Sequence, residues 1–214
     1  MKTRARPPDS RTRILAAAAS EFAARGFDGA SVDRIARTAR LNKAMIYYHF
    51  KSKAALYGEI VRGLIEAVLA RARTIAASDA TPREQIAAFV RAIVEEAEAR
   101  PHFPPMWLRE IAEGGRHLDR ATFNLVRQVP ETLNAIIERG CATGEFRRVH
   151  PLLLHFGIIG PLVLYFASQP VRSRIANEGL SPLMVMPRDQ FLAHVEHATL
   201  ATLTTGPHER GRRS

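Results

Sequence analysis

Residues 31–53 read SVDRIARTARLNKAMIYYHFKSK, and their spacings describe two short helices joined by a tight turn and followed by a basic step. That is the layout of a DNA-reading helix-turn-helix. Ser31 stands where it can cap a helix whose apolar positions Val32, Ile35 and Ala36 recur at intervals of three and four, with Asp33 in the positive first turn. Leu41 breaks the polar run, Asn42 is a good cap, and Lys43 to Phe50 puts Ile46 and Phe50 four residues apart on one face. Those two are expected to face the core. At about 100° per residue the opposite face carries Ala44, Met45 and Tyr48, flanked by Lys43, Tyr47 and His49. Tyrosines at helical spacing also serve as core or interface residues. Here Lys43, Lys51 and Lys53 surround the pair, and a basic helix with exposed hydroxyls and an imidazole suits phosphates and base edges better than an interior.

The charge is distributed in the same sense. The chain of 214 residues carries a formal net charge of +10, and residues 1–53 hold twelve Lys or Arg against four Asp or Glu, so +8 of it lies in the first quarter. Such asymmetry is an electrostatic footprint for nucleic acid. Lys2, Arg4 and Arg6 belong either to a solvated basic tail or to an arm that reaches a minor groove. The N-terminus MKTRARPPDSRTR has no apolar core of a secretory signal, which points to a cytoplasmic, nucleoid-associated protein. The one candidate membrane span, Pro151 to Ser168, PLLLHFGIIGPLVLYFAS, falls short of the roughly 20 residues needed and is interrupted by His155, Gly157, Gly160 and Pro161. It reads as a buried or interfacial helix, and no membrane partner is expected. A single cysteine, Cys141, excludes an internal disulfide; it is either an inert buried thiol or an oxidant sensor.

After Lys53 the pattern is helix upon helix, with no alternating strand pattern, so the expected fold is all-α with about nine helices. Ser52 can cap a long helix carrying Leu56, Ile60, Leu64, Ile65 and Val68. Thr81-Pro82-Arg83-Glu84 is a capping box with proline at the first helical position, leading into Ile86, Phe89, Val90, Ile93 and Val94. Pro101, Pro104 and Pro105 end that helix. A short amphipathic segment, MWLREIAEGG, stops at paired glycines, and a longer pattern from Phe123 to Ile137, with Pro130 as a kink, runs to Gly140 or Gly144. The apolar helix from Pro151, a loop from about Gln169 to Pro187 and a last helix from Arg188 to about Leu203 complete the chain. The expected divisions are residues 1–53 for the basic arm and DNA-binding head, 54–205 for a helical regulatory and dimerisation domain, and a disordered tail over 206–214.

The segment YYHFKSKAAL resembles the signature of TetR/AcrR-type bacterial transcriptional regulators, matching it at Tyr47, Phe50, Lys53 and Leu56. Ile14, Leu15, Ala18, Ala19 and Phe22 resemble the family's first-helix stripe, followed by Gly26-Phe27 and by Ser31, Val32, Ile35 and Ala36. Arg40 and Asn42 stand where the family often has Gly and Ser. The resemblance implies a homodimer built on the two C-terminal helices, here 151–168 and 188–203, with Phe191, Leu192, Val195, Ala198 and Leu203 as a seam on the last one. The long helix after Lys53 would be the lever between head and body. Two heads would then meet a palindromic operator in double-stranded DNA at half-sites about 34 Å apart. Lys43, Ala44, Met45 and Tyr48 are assigned to base edges, Tyr47, His49 and Lys53 to phosphates, and Ser31 or Thr12 to helix caps near the DNA backbone. The resemblance further implies repression relieved by a small ligand, and the bulky apolar residues of the body favour an apolar or aromatic effector. Phe103, Trp107, Phe123, His155 and Tyr165 are the candidate lining, each also a plausible core residue.

An enzyme is the rival class. There is no Glu-x-x-His pair for a di-iron bundle, no Gly-x-Ser-x-Gly elbow, no phosphate-binding glycine loop and no cysteine cluster, so neither catalytic residues nor a cofactor are assigned. His194 and His197, with Glu196 between them, have a spacing that could ligate a metal in an enzyme or metal sensor, or form a solvated helix face. A membrane-surface binder using the basic arm would leave Tyr47 and Tyr48 without a role.

Overall fold

The computed structural model describes residues 9–204, so the basic arm with Lys2, Arg4 and Arg6 and the tail from Gly206 lie outside the described residues. Among the described residues the chain forms α-helices, one short 3₁₀ turn and no strand. The helices are α1 (Ser10–Gly29), α2 (Val32–Ala39), α3 (Lys43–Phe50), α4 (Lys53–Ala76), α5 (Pro82–Ala99), α6 (Phe103–Ala112), α7 (Arg120–Ala142), α8 (Pro151–Ala167), α9 (Gln169–Asn177) and α10 (Arg188–Leu203). Two compact units result. Among the described residues, one takes residues 9–64 with 102–122 and the other 65–101 with 123–204, a division that differs from a boundary at residue 53 by bringing α6 to the head.

In the first unit α1 packs against α2, α3 and α6. Asp9, rather than Thr12, caps α1: its carboxylate accepts from Thr12 N at 2.8 Å. Ile14, Ala18 and Phe22 are fully buried, as the stripe requires. Gly26 breaks the helix at φ 69°, ψ 179°, a region open essentially only to glycine, and the break brings Phe27 beside Phe22 and Tyr57. The carbonyls freed there are taken by cations. Lys53 Nζ donates to Phe27 O at 2.9 Å and to Ala30 O at 3.2 Å, with its ammonium 4.5 Å from the Phe27 ring centre. Arg109 on α6 donates to Phe22 O and Ala24 O at 3.3 and 3.4 Å. Beneath them lies the buried carboxylate of Glu110, which accepts from Tyr57 Oη at 2.7 Å and from His117 N at 2.9 Å. Burial and that bond to Glu110 push the Tyr57 phenol far above its usual range, so it stays a donor.

In the second unit the capping box forms as read: Glu84 N donates to Thr81 Oγ1 and Thr81 N to Glu84 Oε2. α10 packs against α5 and α8. This corrects the expected seam at Phe191, Val195 and Leu203, which are buried against the chain's own helices, while Leu192 is half-buried and Ala198 exposed. α8 buries Leu154, Ile158 and Leu162 and leaves Leu152, Leu153, Phe156 and Leu164 exposed. Gly140 is required where α7 ends, since a Cβ there would lie 2.1 Å from the Phe146 ring. The expected loop from Gln169 to Pro187 holds α9 and the 3₁₀ turn Pro182–Met184. Pro170 is accommodated in the first turn of α9, and Arg174 reaches Glu178 one turn on, at 2.8 Å. The helix count therefore rises from about nine to ten among the described residues. No single described helix is long and apolar enough to cross a membrane.

Because the Lys53 ammonium supplies two charged hydrogen bonds to the end of α1, Lys53→Ala is expected to destabilise the protein by about 2 kcal/mol, read as a lowered midpoint in urea melts. An unchanged midpoint would contradict that role.

Candidate nucleic-acid interface

Three devices hold α3 in place. Asn42 accepts from Ala44 N at 3.0 Å and so caps its start. Ile46 and Phe50 are buried on one face. At its end the chain reverses through Lys51 at φ 62°, ψ −39°, with Ser52 N donating to Phe50 O at 2.6 Å. A hydrogen bond two residues back around a positive φ is a γ-turn, a strained device. Ser52 then caps α4 by accepting from Ala55 N at 3.0 Å.

The turn before α3 is made without glycine. Arg40 adopts the left-handed conformation, φ 53° and ψ 46°, and Leu41 N reaches back to Ala36 O at 3.0 Å, closing α2. Arg13 on α1 clamps this turn by donating to Ala39 O at 2.6 Å and Arg40 O at 3.1 Å. That local bond, a second from Arg40 N to Arg37 O at 3.0 Å, and the arginine clamp thus do what a glycine would have made easier.

The outward face of α3 carries Ala44, Tyr47 and Tyr48, with Tyr48 80% exposed and Tyr47 44% exposed. Met45 is half-buried. Lys43 is exposed and paired with Asp33 on α2 at 2.9 Å, and that bond raises the lysine pKa. Both partners are open to solvent, so the pair is weakly held. His49 is half-buried, with Nε2 2.8 Å from Ser10 Oγ, so it ties the start of α1 to α3. Ser31 occupies the cap position of α2, but its side chain makes no capping bond; its backbone N donates to Glu21 Oε1 at 3.2 Å, and Arg34 Nε grips the same carboxylate oxygen at 2.5 Å. The structure therefore gathers Lys43, Ala44, Met45, Tyr47 and Tyr48 about one helix, and turns Lys53 inward onto α1 carbonyls. It adds Arg37, Arg40 and Lys51, all exposed around the same turn-helix segment. Arg37 could have been found from its place two residues beyond buried Ile35, across the helix from the core.

The candidate effector residues divide between the units. Phe103 and Trp107 stack on each other in the first, with ring centres 5.7 Å apart. Phe123, His155 and Tyr165 fall in the second. Phe123 is half exposed. Tyr165 is committed to packing, its ring 4.0 Å from that of Phe191 and its hydroxyl donating to Met186 O at 3.0 Å. Burial lowers the His155 pKa, favouring the neutral ring, and its Nδ1 has no partner among the described residues. Glu196, between His194 and His197, pairs with Arg91 at 3.0 Å. Among the described residues no three of His, Cys, Asp and Glu gather as a metal site.

Two family models match this chain. The one described as bacterial regulatory proteins, tetR family, covers residues 14–60, and the one described as tetracyclin repressor-like, C-terminal domain, covers residues 82–191. The HTH-type transcriptional repressor KstR2 of Rhodococcus jostii (strain RHA1) is 30% identical over 142 residues, which are 64% of this chain and 68% of that protein. The HTH-type transcriptional regulator RutR of Escherichia coli (strain K12) is 29% identical over 146 residues, 68% of each chain. Among solved structures, the ketosteroid transcriptional regulator KstR2 of Mycobacterium tuberculosis shares the fold with a TM-score of 0.71 at 21% identity, over 94% of this chain and 98% of that one. With a helix-turn-helix head that presents an exposed, basic, tyrosine-bearing helix, and with both family models matched, the chain belongs to the TetR family of DNA-binding transcriptional regulators.

Proposed function

We propose that two copies of this chain read a palindromic operator, each through α3, and that a small apolar or aromatic effector releases them, so that the protein acts as a repressor. It would work in the cytoplasm, where the chromosome lies. One observation carries the DNA assignment: an eight-residue helix with one face wholly buried turns a tyrosine that is 80% exposed toward solvent. Exposing so much aromatic surface beside cations favours a polyanion with flat, stackable and hydrogen-bonding edges. In this reading Lys43, Ala44, Met45 and Tyr48 face base edges in the major groove. Tyr47, His49, Arg37, Arg40 and Lys51 lie toward phosphates, with Ser31 near the DNA backbone. Lys53 offers a phosphate at most its remaining donor, because two carbonyls already take the others.

The dimer rests on α8. Leu152, Leu153, Phe156 and Leu164 are exposed on it, and Cβ atoms built at Gly157 or Gly160 would meet open space. The monomer gives no reason for those glycines, whereas a second helix could approach closely there. On α10 the outward residues are the small Ala193, Ala198 and Ala201 with His194 and His197. For the effector, the support is the unpartnered Nδ1 of His155, the exposed ring of Phe123 and the similarity to a repressor whose structural counterpart is described as a ketosteroid regulator.

Selecting bound fragments from sheared genomic DNA and sequencing them tests the operator, which should emerge as a palindrome with half-sites about one helical turn apart. Tyr48→Ala is expected to change the preferred sequence, with a cost of about 1–3 kcal/mol at the native site, while Arg37→Ala lowers binding to all sequences and reduces the salt slope by about 1. Equal loss in specific and non-specific binding for both would contradict these roles. Phe156→Glu should convert a dimer to a monomer in sedimentation experiments while the helical circular dichroism of the folded chain is kept, since that side chain is 62% exposed in the single chain. The melting midpoint should then no longer rise with protein concentration.

A further inference from the structure

Residues 179–187, GLSPLMVMP, contain no charged side chain, and they expose Leu180, Leu183, Val185 and Met186, with Leu183 83% exposed. Such a run on a solvated surface costs roughly 25 cal/mol for each Å² of apolar area left in water. It is nevertheless held in a defined shape. Gly179 ends α9 at φ 71°, and Ser181 accepts from Leu183 N at 3.3 Å to start the 3₁₀ turn. Tyr165 on α8 donates its hydroxyl to Met186 O at 3.0 Å. Arg172 on α9 donates to Met184 O at 3.3 Å and to Tyr165 O at 2.8 Å, with its guanidinium 4.5 Å from the Tyr165 ring centre. The Tyr165 ring in turn lies flat against Phe191 of α10. Carbonyls of the strap are thus tied down to α8 and α9, while its apolar side chains remain in solvent.

We propose that this strap is an arm of the dimer interface, and that the surface it grips belongs to a second copy of the chain. The inference rests on the α8 dimer reading and extends it. Its first support is continuity. Leu164, the last exposed apolar residue of α8, immediately precedes Tyr165, the residue that anchors the strap, and Val171 on α9 is exposed beyond it. The second is area. The exposed parts of Leu152, Leu153, Phe156 and Leu164 amount to roughly 400–500 Å², against about 800 Å² that each partner gives to a standard interface. The strap with Val171 supplies about as much again, which brings the face to the size a stable dimer needs. The third is chemistry: a segment without charge offers nothing to a phosphate backbone or a charged peptide, whereas a two-fold interface covers the same apolar patch on both subunits at once.

The test is sedimentation equilibrium on the full chain, comparing the native protein, the triple variant Leu180→Ser, Leu183→Ser, Val185→Ser, and Phe156→Glu. Melting curves accompany each, and the three serines should leave the midpoint of the monomer unchanged because their positions are exposed. The strap variant is expected to dissociate at least about tenfold more readily than the native dimer, with slowed amide exchange over residues 180–186 that disappears on dilution of the native protein. If Phe156→Glu abolishes the dimer while the strap variant matches the native dissociation constant, the α8 reading stands and the arm is overturned. A native protein that is monomeric throughout overturns both. Vesicle-dependent protection of residues 180–186 in a strap that leaves dimerisation unaffected would assign it to a lipid surface and overturn the proposal likewise.

Discussion

Burial of Ile46 and Phe50 is the interaction on which the head depends, because α3 has eight residues and a helix of that length does not persist alone in water. Its apolar face must be seated before its outer face can be presented. The seat is built from α1 and α2, which contact α3 directly, and its entry and exit are fixed by Asn42 and by the reversal at Lys51. Arg11 adds its guanidinium 5.5 Å from the Phe50 ring centre, and His49 reaches Ser10. What remains in solvent is what such a seat cannot use: Ala44, Tyr47 and Tyr48. Exposure of the tyrosines follows from the geometry that buries their neighbours.

Cations in the head serve two ends. Several are committed to the chain itself, at the carbonyls left over where helices stop: Arg13 at the close of α2, Lys53 and Arg109 around the break in α1, Arg34 at Gly29. Helix C-termini carry partial negative charge, so this use of basic residues is favourable in its own right. The positive excess over residues 1–53 is therefore not simply a nucleic-acid footprint. The cations on α2, in the turn and after α3, Arg37, Arg40 and Lys51, are the ones whose exposure leaves them open to phosphates.

Much of this was legible because it is local. Caps at Asn42, Ser52 and Thr81, and the buried pair in α3, depend on residues two to four apart, and sequence displays them. The failures are long-range. That α6 joins the head through Arg109 and Glu110 depends on residues more than fifty positions away, at Phe22, Ala24 and Tyr57. Of the five seam residues, Phe191, Val195 and Leu203 form an apolar stripe facing α5 and α8 of their own chain, and periodicity alone does not say which neighbour a stripe meets. α9 is hidden by Pro170 and its polar residues, which mark loops but are equally at home in a solvated helix with proline in its first turn. Lys53 turns onto the carbonyls of Phe27 and Ala30, and in sequence a basic residue after a reading helix looks the same whether it points outward or back.

Arg40 and Lys51 stand at the two ends of the segment that carries α3, and both hold a positive φ that an L side chain adopts at a cost of about 1–3 kcal/mol. Glycine would relax both positions, and in doing so would strip a cation from each side of the helix. The two turns set fold stability against surface charge at the same residues. A programme that selected variants of this protein for heat resistance alone would drift toward glycine there, and would arrive at a sturdier head with less positive charge beside α3.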